Sequence, residues 1–459
     1  MIPQRFVIDR RMVLRGLATA TLVPTLPAVS HAASGADAII LTMSDLHSPY
    51  ARLPAVLKAV RDLRQNTGGT PMAMVLNGDL FERGNVVATR SGASADWVFL
   101  KALAAELPVF INLGNHETAI LDDMAVFTAM ATQAGAQVIS NLMDKRTGRF
   151  FAPVSDRIGL GGIDIAMLGI ATTNPFVYRK PARDTLGFLN PESFVKDVFA
   201  DATAGADLPM LVTHAGVTPD KALLPHLPAG ALVHGAHDHL NFTTDETGQH
   251  YIHGGAWATQ LGVVSLQKNG QALSVTSENL AIAPADGDPE IAEAIASAKA
   301  QHLTESDTAV IVELGAARNM HQSILLATEA VQQATEADVA VLGHTTFGAP
   351  LAAGPLSKYD FDAFIRFDGG LSMAEIPGER LAQILTRANQ FAATDLAGRT
   401  GDYVHVADVQ IDPGKTYRFV TNGWTAFNQK SYLGTEDLEF VEVPDLALKA
   451  VVIDYLAAL

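Results

Sequence analysis

Short apolar runs alternate with amphipathic stretches along the first part of the chain, and this alternation restricts the fold more than any other feature. The runs and stretches are, in chain order, Ala38–Met43, Leu53–Leu63, Met72–Asn77, Trp97–Ala105 and Val109–Leu113. The short runs have the length of strands, and the stretches between them have the periodicity of helices. Such alternation favours an α/β fold built in layers around a central sheet.

Side chains that bind metals follow the predicted strands where the strands end. Loops at this position are where an open α/β sheet builds its ligand site. A single histidine would more often be a surface or core residue, but order, placement and ligand type coincide here. We therefore predict a site for two divalent metal ions. Its seven predicted ligands are Asp45, His47, Asp79, Asn115, His214, His237 and His239.

The composition limits both the metal and the partners. The chain has no cysteine, so a transition metal has to be bound by histidine, aspartate, asparagine or glutamate, which accept Zn, Mn, Fe or Co. The formal charge of −17 disfavours nucleic acid polymers and anionic lipid as partners. A small anionic substrate drawn to a local metal site is compatible with this charge.

The length of 459 residues exceeds the size at which one core usually stops growing, so we expect two domains. The sequence becomes rich in Pro, Gly and Asp between Ala283 and Asp288, and a helical pattern follows over Ile291–Leu303. We predict a catalytic domain over residues 34–285, a linker helix over 286–303 and a second domain over 304–459.

Residues 1–33 have the order of regions typical of a twin-arginine signal peptide. Arg10 and Arg11 precede an uncharged stretch from Gly16 to Val29, which ends in small residues. This stretch is too short to span a membrane, so we expect a protein without a membrane span, exported to the periplasm by the twin-arginine machinery. Cleavage would remove a net charge of +3 and change the formal charge from −17 to −20.

The strand-end motifs resemble those of the calcineurin-like metallophosphoesterases, and the chain after the signal is similar to the periplasmic 5′-nucleotidase family. The motifs are Asp45-Leu46-His47, Gly78-Asp79, Gly114-Asn115-His116-Glu117, His214 and His237-Asp238-His239. Ala236 stands where the family has glycine. The resemblance implies a four-layer α/β/β/α sandwich followed by a smaller mixed α/β domain that binds substrate.

The resemblance also implies roles for these residues. One metal ion would be held by Asp45, His47, Asp79 and His239, and the other by Asp79, Asn115, His214 and His237, so that Asp79 bridges. Water activated between the two cations would attack phosphorus. His116 would act with Asn115 in catalysis, where it would stabilise negative charge or protonate the leaving oxygen.

Ala119 stands where relatives have the aspartate that orients this histidine. Glu117, Asp122 or Asp123 could replace that aspartate if the loop brings one within hydrogen-bond reach. We expect its loss to slow turnover or alter substrate choice without abolishing metal binding. Glu82 and Arg83 could meet the anionic end of the substrate or lie in a solvated loop.

The second domain departs from the family at its substrate-binding motifs. Gly348 replaces the motif arginine, and a different loop leads to the second aromatic residue, Tyr432. Phe367 and Tyr432 could still stack on a base, or they could be core residues. His344 and Arg318 are candidates for contacts with a smaller or more anionic group.

Three functions are compatible with this sequence. The leading hypothesis is a periplasmic phosphomonoesterase acting on nucleotides or related phosphate esters. The sulfur-oxidation thiosulfohydrolases resemble the same two-domain family, keep the metals and hydrolyse a carrier-bound sulfonate. A metal-containing binding protein that has lost turnover is the third hypothesis, but the retention of all seven ligands argues against it.

Overall fold

The computed structural model describes residues 35–284, 287–391 and 394–459. The predicted signal peptide and the predicted boundary at residues 285–286 therefore lie outside the described residues. Within these ranges, no helix combines the length and the apolar character needed to cross a membrane.

Two six-stranded sheets form the centre of the first domain, with strand orders β15-β14-β1-β2-β3-β4 and β12-β13-β11-β10-β8-β7, and β6-β5-β9 form a small third sheet. The strands are β1 (Ala38–Ser44), β2 (Met72–Asn77), β3 (Val109–Asn112), β4 (Gln137–Ile139), β5 (Met143–Asp144), β6 (Arg149–Phe150), β7 (Ser155–Leu160), β8 (Ile163–Ala171), β9 (Leu186–Gly187), β10 (Leu208–His214), β11 (Leu232–Gly235), β12 (Asn241–Thr244), β13 (His250–Gly254), β14 (Gln260–Asn269) and β15 (Ala272–Ala281).

Helices cover the outer faces of both sheets. They are α1 (Leu53–Asn66), α2 (Val86–Ser91), α3 (Ser94–Glu106), α4 (Thr118–Leu121), α5 (Met124–Gln133), α6 (Lys180–Arg183), α7 (Pro191–Ala202), α8 (Val217–Leu223) and α9 (Pro289–His302). Apolar side chains such as Ile40, Val75 and Met210 fill the space between the sheets. Separate cores lie between the first sheet and α1, α3 and α5, and between the second sheet and α7 and α8. The predicted four-layer sandwich is confirmed.

Helix α9 corresponds to the predicted linker helix. Asp288 caps its start by accepting a hydrogen bond from the backbone N–H of Ile291 at 3.0 Å. Ile291, Ile295 and Ala298 are buried in the core that α1 and α3 share. The helix therefore packs on the first domain instead of standing free between the two.

The second domain is a smaller mixed α/β unit, as predicted. Its helices are α10 (Glu305–Thr308), α11 (Met320–Thr335), α12 (Lys358–Phe364), α13 (Gly378–Leu385), α14 (Gly423–Phe427), α15 (Gln429–Leu433) and α16 (Leu448–Ala457). Its strands are β16 (Val310–Leu314), β17 (Val339–Ala340), β18 (Leu342–Gly343), β19 (Gly354–Ser357), β20 (Gly370–Pro377), β21 (Val404–His405), β22 (Thr416–Asn422) and β23 (Val441–Ala447). The main sheet has the order β17-β22-β20-β23, while β16 pairs with β19 and β18 with β21.

Strand direction determines where the site forms. Strands β1 to β4 run parallel to one another in the first sheet. Strands β8, β10, β11 and β13 run parallel in the second. The carboxyl ends of parallel strands lie at one edge of a sheet, so residues that follow these strands meet at two facing edges.

Candidate metal centre

The structure brings the predicted ligands together at these edges. Asp45 and His47 follow β1, Asp79 follows β2, Asn115 follows β3, His214 ends β10, and His237 and His239 follow β11. Five of the seven have a left-handed backbone, with φ of 50° at Asp45, 55° at His47, 54° at Asp79, 82° at His237 and 58° at His239. Residues other than glycine rarely adopt this backbone conformation, and strained backbone of this kind clusters at functional sites.

Two glycines allow the ligands to approach one another. A Cβ at Gly78 would lie 2.5 Å from Nδ1 of His214, and a Cβ at Gly114 would lie 2.6 Å from the backbone nitrogen of Asp79. Neither distance can be accommodated without displacing a ligand. This close approach explains the glycines of the Gly-Asp and Gly-Asn-His-Glu motifs.

Asp45, His47 and His239 form a first group of potential ligands, whose ligand atoms lie within 4.8 Å of one another. The Nε2 atoms of the two histidines are 3.0 Å apart, and Nε2 of His239 is 3.7 Å from Oδ1 of Asp45. The backbone N–H of His237 donates to both oxygens of Asp45 at 3.1 and 3.2 Å, which orients that carboxylate.

Asp79, His214 and His237 form a second group with the same spacing. Nε2 of His214 lies 3.3 Å from Oδ1 of Asp79. The other ring nitrogen of His214 donates to the carbonyl oxygen of Asn77 at 2.7 Å. This hydrogen bond leaves the electron pair of Nε2 facing the group, as is usual for a metal-binding histidine.

Asp79 belongs to the second group and also faces the first. Its Oδ1 faces His214, while its Oδ2 is 3.9 Å from Nε2 of His47 in the first group. The backbone N–H of His116 donates to Oδ1 at 2.7 Å and fixes the carboxylate. One side chain is thereby presented to both groups.

Burial makes most of these histidines neutral. It lowers the pKa of His237 to about 3 and holds the pKa of His47 and of His239 well below the usual value. Burial also acts to lower the pKa of His214, but Asp79 and Asp45 outweigh it and raise that pKa to about 10. The field that attracts a proton to His214 would equally attract a divalent cation.

The donor atoms fit divalent cations. Oδ1 of Asn115 and Nε2 of His214 are buried without a hydrogen-bond partner, which native proteins seldom tolerate. The Nδ2 of Asn115 donates to the carbonyl oxygen of Val177 at 3.4 Å, so its oxygen is the free acceptor. Carboxylate, amide and imidazole groups suit Zn, Mn or Fe.

The suggested replacements for the missing aspartate partner of His116 point elsewhere. Asp122 pairs with Arg179, and Asp123 pairs with Arg146. Glu117 is fully buried and accepts a hydrogen bond from the backbone N–H of Leu80 at 3.3 Å. These three expectations are therefore corrected by the structure, because each carboxylate already has a partner outside the histidine.

Glu82 is the carboxylate that faces His116. Its Oε2 lies 3.8 Å from Nδ1 of His116 and 3.4 Å from Nδ1 of His47. Its other oxygen accepts the backbone N–H of Gly84 at 2.8 Å. Glu82 is completely buried, which excludes the expectation of a solvated loop at this residue.

Arg366 of the second domain completes this cluster, and no sequence motif indicates it. Its Nη2 forms an ion pair with Oε2 of Glu82, and both side chains are buried. The guanidinium lies 5.3 Å from the ring of Trp257 and 5.0 Å from the ring of Phe367. Trp257 also stacks on His47, with ring centroids 5.5 Å apart.

The substrate-binding candidates of the second domain separate into two sets. Phe367 is 47% exposed and its ring is 6.5 Å from that of His116, so it borders the open face of the site. His344 is buried at the domain boundary, where its Nε2–H donates to the carbonyl oxygen of Asp238 at 2.7 Å. Its ring is 6.5 Å from that of His239.

Tyr432 and Arg318 have other surroundings. Tyr432 is 2% exposed, packs in a core of the second domain and hydrogen-bonds through its hydroxyl to Thr345. The ring therefore has no open face for stacking on a base, and the core-packing alternative applies. The backbone N–H of Arg318, just before α11, donates to the carbonyl oxygen of Leu351 at 2.9 Å. Among the described residues, no hydrogen bond or ion pair joins the Arg318 side chain to the predicted ligands.

Comparison with known proteins agrees with this geometry. Residues 39–254 match the calcineurin-like phosphoesterase family, so the chain contains a calcineurin-like phosphoesterase domain. A domain of this family implies a metal-dependent phosphoester hydrolase. The chain is 22% identical over 372 residues to the uncharacterized metallophosphoesterase YunD of Bacillus subtilis (strain 168). This match covers 75% of this chain and 76% of YunD.

Solved structures extend the similarity to both domains. A 5′-nucleotidase precursor from Thermus thermophilus superposes with a TM-score of 0.59 at 16% identity, covering 92% of this chain and 96% of that one. The sulfate thiohydrolase SoxB of Thermus thermophilus gives 0.63 at 15% identity, covering 92% and 94%. At these identities the likeness establishes the two-domain fold alone.

Proposed function

We propose that this protein is a dinuclear metal phosphomonoesterase acting on nucleotides or related phosphate esters. The observation that carries the proposal is the position of Asp79, whose two oxygens face two separate groups of histidine and carboxylate ligands. A carboxylate placed in this way could be a ligand to both of two cations, which would supply the two-metal chemistry of displacement at phosphorus.

The predicted ligands have separate roles in hydrolysis. Asp45, His47 and His239 would hold one cation, His214, His237 and Asn115 the other, and Asp79 both. Cations bound there would polarise a phosphoryl oxygen and lower the pKa of water.

His116 borders the same space, with 18% of its side chain exposed. We assign it the transfer of a proton to the leaving oxygen, which requires a correctly oriented ring. Glu82 provides that orientation in place of the missing aspartate. Phe367 contributes an exposed apolar face for the organic part of the substrate.

A screen of metal-replete protein against nucleotides, sugar phosphates and aryl phosphates tests the proposal. Wild-type protein should release phosphate from at least one class, and Asp79→Ala should release none. A wild-type protein that binds metal but hydrolyses none of these esters would instead support the binding-protein hypothesis.

A sulfur substrate is the second candidate, and one feature of the second domain favours it. The burial of Tyr432 and the glycine at position 348 remove two contacts that would select a nucleoside. Incubation with a peptide carrying a cysteine S-thiosulfonate distinguishes the candidates, since a thiosulfohydrolase would release sulfate and a phosphomonoesterase would not.

We also propose that the protein is exported to the periplasm by the twin-arginine machinery. The support is the paired Arg10 and Arg11 ahead of an uncharged stretch. Replacement of both by lysine should retain the protein in the cytoplasmic fraction and leave its precursor uncleaved. Unchanged periplasmic recovery of that variant would refute export by this route.

A further inference from the structure

We propose that Arg366 is a positioning residue through which the second domain holds Glu82, and thereby orients both His47 and His116. The inference rests on the proposed function for its kinetic part only. Its physical basis is a single buried oxygen, Oε2 of Glu82, which three cationic or N–H donors from both domains surround.

The first step concerns how the buried side chain of Glu82 is paired. A completely buried carboxylate is costly unless it is paired. The guanidinium of Arg366 supplies that pair, and its own side chain is 2% exposed. Without Arg366, the charge of Glu82 would be left with two imidazoles and one backbone N–H.

The second step concerns which groups Glu82 orients. Nε2 of His47 faces the first ligand group, and its Nδ1 faces both Nη2 of Arg366 at 3.3 Å and Oε2 of Glu82 at 3.4 Å. A guanidinium has no acceptor, so Glu82 is the member of this pair that can accept a hydrogen bond from Nδ1. A carboxylate that accepts from the second nitrogen of a ligand histidine fixes its tautomer and raises its basicity. Nδ1 of His116, at 3.8 Å from the same oxygen, is buried without a hydrogen-bond partner and would be oriented in the same way.

The third step concerns how Arg366 is held. Its guanidinium lies between the rings of Trp257, from the first domain, and Phe367, from its own domain. Its backbone N–H donates to the carbonyl oxygen of Thr346 at 3.1 Å. Aromatic rings and backbone thus fix the cation in one place, which suits a residue that acts on Glu82 instead of one that follows a mobile substrate.

The test combines Arg366→Met, Arg366→Lys, Glu82→Gln and the Arg366→Met, Glu82→Gln double variant. Zinc and manganese affinities measured by chelator competition provide a readout independent of turnover. Arg366→Met and Glu82→Gln should each weaken affinity about 10-fold, as loss of a carboxylate behind a ligand histidine does. The double variant should bind metal no more weakly than Glu82→Gln alone, because both substitutions break the same Arg366–Glu82 interaction. Arg366→Lys should restore most of the affinity.

Kinetics provide the second readout. Phenyl phosphate needs protonation of its leaving oxygen more than 4-nitrophenyl phosphate does, so a misoriented His116 should affect it more. Arg366→Met should lower kcat for phenyl phosphate about 10-fold more than for 4-nitrophenyl phosphate, with KM changed less than about threefold. A larger KM for both esters with kcat unchanged would instead mean direct substrate binding and would overturn the proposal.

Arg399→Met is the matched control. Arg399 also comes from the second domain, is 7% exposed and lies 4.2 Å from a first-domain ring, that of Phe242, but it has no contact with Glu82. Its metal affinity and leaving-group ratio should match the wild type. Equal effects of Arg366→Met and Arg399→Met would show that Arg366 contributes only to packing between the domains. If wild-type protein hydrolysed no phosphate ester, the proposed function would fail, while the metal affinities would still decide this inference.

Discussion

Gly348 of the second domain packs directly against the indole of Trp257 of the first. A Cβ at position 348 would overlap Cζ2 of that indole and would lie 2.8 Å from its Cε2. The backbone is held there because Gly348 N–H donates to the carbonyl oxygen of Phe364 at 2.9 Å. An arginine at this position, as the 5′-nucleotidase motif has, is therefore incompatible with the position of Trp257.

Gly348→Ala is expected to destabilise the contact between the domains, because its methyl group has no space beside the indole. Overpacking of this kind costs about 1–3 kcal/mol, and Gly348→Arg should cost more. Thermal unfolding measures the effect. Gly315→Ala is the control, since a Cβ at Gly315 meets no atom within 4 Å. Equal stability of Gly348→Ala and Gly315→Ala would contradict the packing described here.

The sequence predicts the fold class, and it predicts that the seven candidate ligands come together, because both depend on local patterns. Each ligand follows an apolar run, and parallel strands bring such positions together whatever the details of packing. The partner of His116 was not predictable in this way. The sequence suggests for Glu82 a substrate contact or a solvated loop, and its pairing with Arg366, which is 284 positions away, depends on how two domains meet.

The second domain shows a different limit of sequence reasoning. Phe367 and Tyr432 are both aromatic residues at family motif positions, and the sequence does not distinguish a stacking ring from a core ring. Neighbouring loops make the difference, since Tyr432 is enclosed and Phe367 is 47% exposed. Burial of a particular ring depends on tertiary packing that short motifs do not encode.

His116→Gln should separate catalysis from metal binding. The histidine is absent from the two groups that contain Asp45 and Asp79 and belongs to a third group, with His47 and Glu82. Because Glu82 is paired with Arg366, we expect metal content to stay at the wild-type level. Loss of a proton donor should lower kcat by about 10²–10⁴-fold. Elemental analysis and phosphate release measure both quantities. His226→Gln, which removes a histidine that pairs with Glu192, serves as the control with unchanged activity. Loss of metal from His116→Gln would show that the ring is a ligand.

Phe367→Ala and Tyr432→Phe should have different effects, the first on KM and the second on stability. Removing the exposed ring of Phe367 should raise KM for esters with an aromatic group, since ring stacking contributes about 0.5–1.5 kcal/mol. Tyr432→Phe loses a hydrogen bond to Thr345 in the core, so it should lower stability by about 1 kcal/mol and leave KM unchanged. Steady-state kinetics with aromatic and aliphatic phosphates, together with thermal unfolding, distinguish these outcomes. A raised KM in Tyr432→Phe would restore this residue as a substrate contact.

Asp96 should make stability depend on pH through a group remote from the ligands. It is buried at the start of α3 and accepts a hydrogen bond from the hydroxyl of Tyr50 at 2.7 Å. Burial raises the pKa of Asp96 to about 7, against about 3.9 in an unfolded chain. Between these two pH values the folded state binds more protons than the unfolded state. The contribution of Asp96 to the free energy of unfolding is therefore fully present below about pH 4 and is lost as the pH rises through about 7. Asp96→Asn cannot ionise, so it does not lose this contribution. The difference in Tm between Asp96→Asn and wild type should therefore be about 4 °C more favourable to the variant at pH 8 than at pH 5. The exposed Asp197→Asn should show no such difference, and a constant gap for Asp96→Asn across this range would contradict the raised pKa.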